Sequence, residues 1–182
     1  MKTFTITKKH LDSDNYYIGN EDLTNFNGHI EADESLGCVR FKKDLKASGY
    51  ICFKAGSGIE AGWGIEAGSG IEAGLGIEAG LGIKAGFGIK AGWGIEAGSG
   101  IEAGSGISCN LTLKSSLRIF AGLCLWRKPT NEEMKITCGK LEEGEICYGN
   151  LIETGLPEEK KSLSGKKVTV TVGDETYTAT ID

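Results

Sequence analysis

Proline occurs only twice in this 182-residue chain, and histidine only at His10 and His29. With 29 glycines but almost no proline, the chain cannot be collagen, whose triple helix needs glycine at every third residue together with abundant proline. No stretch is long and apolar enough to read as a membrane span, and the opening Met1–Leu11 lacks the apolar centre of a signal peptide. The six cysteines include no CxxC pair, which argues against a zinc ribbon or a thioredoxin motif. Without an export signal they are expected to be reduced thiols in a cytoplasm. No phosphate loop is present, and the Gly56-Ser57-Gly58 spacing that resembles a dinucleotide fingerprint recurs in unit after unit with no βαβ pattern around it.

What the chain does contain is a repeat of six residues, running from Gly56 to Ile107 as GSGIEA, GWGIEA, GSGIEA, GLGIEA and onward. Glycine at two positions in six would destabilise a helix, and six is not a helical period. Alternation within the unit is that of a strand: Ile59 and Ser57, two apart, share one side, and Glu60 faces the other. Ala61-Gly62 then reads as the bend. On this parity the bulky residues Trp63, Leu75, Leu81, Phe87 and Trp93 point inward with the isoleucines, balanced in each layer by serines such as Ser69 and Ser99.

The same frame extends backward through the apolar pairs Ile51/Phe53, Leu45/Ala47 and Val39/Phe41, and forward through Leu111/Leu113, Leu117/Ile119 and Leu123/Leu125. An unbroken frame from Val39 to Leu125 makes fifteen units, or five coils of three, forming a rod about 24 Å long. Charge supports three sides per coil. At a spacing of 18 the outward residues form columns Lys54-Glu72-Lys90 and Glu66-Lys84-Glu102, which alternate in sign as neighbouring rungs should. The third column, Lys42-Glu60-Glu78-Glu96-Lys114, stacks three glutamates. The glycines preceding each isoleucine, from Gly58 to Gly106, point outward and either relieve crowding or leave a smooth face for another backbone.

The unit Ile65-Glu66-Ala67-Gly68-Ser69-Gly70 resembles the hexapeptide repeat of left-handed β-helix proteins, over about half the chain. The resemblance implies an all-β, three-sided solenoid. Many enzymes of that family are acyltransferases with a histidine base, for which only His10 and His29 are available here, His29-Ile30-Glu31 being the sole hint of a motif.

A solenoid needs covers at its ends. Residues 1–37 read as an N-terminal cap that opens with the alternating Phe4-Thr5-Ile6, residues 38–128 as the solenoid, and residues 129–182 as a C-terminal cap. Within the last, Ile136, Leu141, Ile146 and Leu151 are expected to pack on the final coil. Alternating valines and threonines before Gly173-Asp174, and Tyr177, Ala179 and Ile181 after it, predict a β-hairpin over 167–181. That hairpin needs a packing partner, either the rod or a second copy of the chain, so a homodimer through the caps or the hairpin is one expectation.

The net charge of −5 is uneven: seven acids and three bases in 1–37, seven and eleven in 38–128, eleven and six in 129–182. A rigid rod with acidic ends suits a non-catalytic binding protein that occupies a basic groove of a protein partner, such as a nucleic-acid-processing enzyme. By size and charge the chain resembles phage-encoded inhibitors of bacterial defence nucleases, anti-CRISPR proteins among them, which implies the cytoplasm of a bacterial host. The expected contact residues are Glu60, Glu78 and Glu96 on the rod, with Glu142, Glu143 and Glu145 near its acidic end. No cofactor, catalytic residue, metal ligand or membrane is expected. A hexapeptide-repeat acyltransferase and a self-assembling solenoid are the alternatives.

Overall fold

The computed structural model describes residues 1–124, 127–157, 167–172 and 175–180. The chain is a parallel β-solenoid of about seven turns, two more than the sequence frame predicts. It has three sides, as the charge columns predict. Face one stacks eight strands: Lys2–Ile6, Gly28–Ala32, Ile51–Phe53, Ile71–Ala73, Ile89–Ala91, Ile107–Cys109, Lys135–Cys138 and Asn150–Glu153. Face two stacks Gly37–Phe41, Ser57–Ala61, Ile77–Ala79 and Ile95–Ala97; face three stacks Leu45–Ala47, Ile65–Ala67, Ile83–Ala85 and Ile101–Ala103. The long strands Thr112–Ala121 and Lys140–Tyr148 then wrap from face two to face three without a break. Ser116 and Arg118 stand there in place of two corner glycines, so the chain rounds the corner extended.

Each repeat places isoleucine inward, glutamate or lysine outward, and alanine inward. Ile77 and Ala79, for example, are 1% and 2% exposed. Three isoleucines and three alanines therefore fill each coil, and each buried isoleucine contributes about 2–3 kcal/mol of transfer free energy. The interior has no room for more, and the bulky residues lie outside, contrary to the sequence reading. Trp63, Leu81, Phe87 and Trp93 are 52–59% exposed, and Leu75 is half-buried. The inward partner of Ile59 is Ala61. Strand parity does not carry across a bend, and the bend is Gly62-Trp63-Gly64, with its central residue at the apex.

The glycine after each alanine is sterically obligatory. A Cβ on Gly80 or Gly86 would come within 2.2 Å of a carbonyl oxygen in the preceding coil. At the glycine before each isoleucine the approach is looser, 3.3 Å from Gly82 to the next coil. These outward glycines relieve crowding only mildly.

The hexad frame is not unbroken. Ile51 lies beside Ile71, twenty residues on, whereas Ile71 lies beside Ile89, eighteen on. The two extra residues fall at Lys54–Ser57, where Gly56 takes a positive φ of 74° and Ser57 turns inward. The buried Ser57 hydroxyl donates to the Asp33 carbonyl at 2.6 Å and accepts from the Leu36 amide at 3.0 Å, so it is fully satisfied. Further on, a loop after Ala121 separates Ile107 from its neighbour Ile136. Leu113 and Ile119 are buried as expected, but Leu117 is 61% exposed, and Leu125 lies outside the described residues.

Stacking also runs on at both ends. Phe4, Tyr17 and Phe26 gather at the N-terminal end, with Tyr17 5.8 Å from Phe41 between ring centroids. At the other end Ile136 is buried, Leu141 and Ile146 pack partly against the core, and Leu151 is 38% exposed. Strands Lys167–Val172 and Glu175–Thr180 pair antiparallel, the hairpin the alternation predicts; its Gly173-Asp174 turn lies outside the described residues.

Candidate interaction surface

Face two carries the glutamate stripe. Its outward column is Arg40, Glu60, Glu78, Glu96 and Lys114 in strict register, followed across a register shift by Glu143. Arg40 replaces the Lys42 of the sequence reading because of the two-residue insertion, and for the same reason Cys52, not Lys54, stands beside Glu72 on face one. Neighbouring rungs are about 4.8 Å apart. Cations close the stripe at its ends: Arg40 pairs with Glu60 at 2.9 Å and Lys114 with Glu96 at 2.6 Å. Glu78, in the middle, has no ion pair among the described residues. Burial, and then the charges of Glu60 and Glu96, raise its pKa above the usual carboxylate value.

The stripe's field reaches a thiol. Cys38, exposed at one end of the face, has its sulfur 3.8 Å from a Glu60 oxygen. Partial desolvation of the sulfur by its neighbours first, and the Glu60 charge second, push it up to about 11. Deeper in the rod, burial pushes Cys109 up to about 12.

The remaining expected contact residues divide between two faces. Glu143 prolongs the stripe beyond Lys114, and Glu142 sits at a register shift beside it. Both add to the negative potential that, with the Glu96 hydrogen bond as the leading cause, raises the Lys114 pKa. Glu145 lies across the corner on face three, beside Arg118 at 4.0 Å.

Sequence reasoning missed what borders the stripe. Successive corner residues are joined by backbone hydrogen bonds into ridges. Leu75, Trp93 and Leu111 form one ridge between faces one and two. Trp63, Leu81, Ser99 and Leu117 form another between faces two and three. The acidic stripe therefore runs between two largely apolar ridges. The signal was present in the sequence, since a residue with glycine on both sides is a turn apex. The third corner carries Ser69, Phe87 and Ser105.

Two shallow grooves lie on the other faces. The face-three groove, about 940 Å³, is walled by Leu81 and Leu117 and crossed by Lys46, Glu66, Lys84 and Glu102. The face-one groove, about 600 Å³, is crossed by Glu72 and Lys90, paired at 2.9 Å.

Both histidines have structural engagements. His10 Nδ1 accepts from the Thr7 amide at 3.0 Å, and His29 Nδ1 accepts from the Tyr50 amide at 3.0 Å while its ring stacks on Tyr50 at 4.0 Å. A neutral imidazole that accepts at Nδ1 carries its proton on Nε2, so that nitrogen is a donor and not a base. Tyr50 donates in turn to Glu31 at 2.6 Å, which ties the His29-Ile30-Glu31 segment to the second coil. Among the described residues no group of three His, Cys, Asp or Glu side chains is placed to hold a metal, and no helix is long and apolar enough to cross a membrane.

A scan against family models, a search of curated proteins and a search of solved structures each found no match for this chain.

Proposed function

We propose that this chain is a non-catalytic binding protein that presents face two to a basic groove on a macromolecular partner. One observation carries the reading: three glutamates stacked in register on a rigid sheet, flanked by exposed tryptophan and leucine. Like charges on adjacent rungs destabilise a sheet, so a purely structural column would alternate as face three does. A partner's arginines and lysines would relieve the repulsion, and apolar ridges would supply the contact area that surface ion pairs alone lack.

In its narrower form the partner is a nucleic-acid-processing enzyme, and the chain is a phage-type inhibitor of a bacterial defence nuclease, anti-CRISPR-like, acting in the cytoplasm of the host. Its stripe would take the place of nucleic acid in the enzyme's channel. The rod itself belongs, on this reading, with hexapeptide-repeat solenoids. The acyltransferase alternative asks for a free histidine base, and both imidazoles already accept backbone hydrogen bonds. The self-assembling alternative asks for open ends, and an aromatic cluster gathers at the N-terminal one.

The test is cleavage of target DNA by purified Cas nucleases in the presence of the chain, together with salt-dependent capture of the nuclease. Inhibition by the wild type that is lost in the Glu60→Gln, Glu78→Gln, Glu96→Gln triple variant supports the reading. Inhibition that survives the triple variant places the contact elsewhere, and no inhibition of any such enzyme removes the narrower form.

A further inference from the structure

Three faces built on one repeat carry three different charge patterns, and each pattern decides whether a face can pair with its own copy. Face three reads Lys46, Glu66, Lys84, Glu102 on successive rungs. Consider two rods laid face to face and antiparallel, related by a two-fold axis that runs along the strands between the Glu66 and Lys84 rungs. Glu66 then meets Lys84 of the second copy, and Lys46 meets its Glu102. Both contacts occur twice by symmetry, so these four rungs form four opposite-charge contacts and no like-charge contact among themselves.

The same operation matches the rims. It preserves each corner and reverses rung order, so Trp63 faces Leu81 of the second copy and Phe87 faces its Ser69. Apolar residues meet apolar ones at one corner, and large meets small at the other. Leu81 and Leu117 already lean over this face as walls of its groove. Trp63, Leu81, Phe87 and Leu117 are all more than half exposed in the single chain.

The other faces and the other orientation fail this test. A two-fold axis along the rod would set Glu66 against Glu66. On face two, any register that lays the stripe over itself sets glutamate on glutamate. Face one offers only the reciprocal Glu72–Lys90 contact, flanked by Cys52 and Ser108.

We infer that face three is a self-association surface, and that its occupant is a second copy of this chain in antiparallel orientation, not a contact through the caps or the hairpin. Charge sets the register here. Exposed ion pairs contribute roughly 0–1 kcal/mol each, so the apolar rims supply most of the affinity. The surface spans only a few rungs, which points to association in about the micromolar range. This inference does not rest on the proposed function: the glutamate stripe of face two stays open on both copies, the Trp63–Leu81 ridge is shared by the two surfaces, and self-association is read without any partner.

The experiment is sedimentation velocity on the full chain at about 100 µM, a concentration well above such a dissociation constant. The wild type should sediment as a dimer. Lys84→Glu and Glu66→Lys should each weaken the dimer by at least about tenfold, because each places two like-charge contacts at the centre. An equimolar mixture of the two variants should dimerise again, since both central contacts of the mixed pair then join opposite charges. Both side chains already occur at this outward position of the repeat, and far-UV circular dichroism confirms that each variant is folded. A monomeric wild type overturns the inference. So do single variants that dimerise as the wild type does, which would put the interface in the caps or hairpin, and so does a mixture of folded variants that stays monomeric.

Discussion

Faces two and three share a backbone, an isoleucine–alanine interior and a pair of glycine corners, yet their outward columns differ in kind. Face three alternates Lys46, Glu66, Lys84, Glu102, with Lys84 and Glu102 3.1 Å apart. Face two stacks Glu60, Glu78 and Glu96, and the middle one makes no ion pair among the described residues. Because stability resides inside the triangle, the outward position of each unit is free to vary. The column that departs from electrostatic preference is therefore the one on which the proposed binding role rests.

The comparison assumes equivalent frameworks, and the largest effect tests that. Gly80 leaves face two and Gly86 leaves face three, and a Cβ on either would sit 2.2 Å from a carbonyl oxygen. Gly80→Ala and Gly86→Ala should each cost about 3 kcal/mol, because two stacked backbones cannot both move aside. Gly82→Ala, with 3.3 Å of room, should cost well under half of that. Denaturant melts of the three variants read this directly. A large difference between Gly80→Ala and Gly86→Ala would show that the two faces do not rest on equal frames.

The next effect separates the faces by what they bind. Replacing Glu60, Glu78 and Glu96 together by glutamine should weaken partner binding by about 2 kcal/mol, roughly thirtyfold in Kd, and flatten its salt dependence. Glu66→Gln with Glu102→Gln should leave partner binding unchanged, since those residues belong to the other face. Calorimetry at two salt concentrations distinguishes the cases. Equal losses from both sets would reduce the stripe to a share of the net charge.

The ridge between the faces gives a smaller effect. Trp63→Ser should cost no more than about 1 kcal/mol of stability, against about 3–5 kcal/mol for a tryptophan truncated in a core. It should nonetheless reduce both partner binding and self-association, because Trp63 borders both faces.

That tryptophan also marks where the sequence stopped being legible. The period of six, the three sides, the inward isoleucines, the glutamate stripe and the terminal hairpin could all be read from the residues, because each is a regularity of spacing. The direction of Trp63 could not be read by continuing strand parity through Gly62-Trp63-Gly64, because the chain turns there. The two-residue insertion at Lys54–Ser57 was hidden because Ile51 and Phe53 are apolar and fit either frame; only the register of Ile51 with Ile71 places them. The outer turns escaped for a related reason. Around Lys135–Cys138 and Asn150–Glu153 single glycines remain, Gly139 after the buried Cys138 and Gly149 before Asn150, but the six-residue spacing is lost, and residues such as Ile136 carry the inward position without a repeat to announce it.

The smallest effect bears most directly on the contrast. Burial, then Glu60 and Glu96, hold the Glu78 carboxyl above its ordinary pKa. A carboxyl whose folded pKa exceeds its unfolded one binds its proton more readily in the folded state. Its ionisation therefore costs stability at neutral pH, and the cost disappears as pH falls through the carboxylate range. Glu78→Gln should accordingly stabilise the chain by about 0.5 kcal/mol near pH 7, with the gain vanishing below about pH 3.5. The matching change on face three, Glu66→Gln, should not stabilise, because Glu66 lies between Lys46 and Lys84. Thermal melts of both variants across pH decide the matter. A stripe that gives up stability when unoccupied, beside a face that does not, is the pattern expected of a surface kept for binding. Equal responses from the two faces would make the stripe an accident of the repeat.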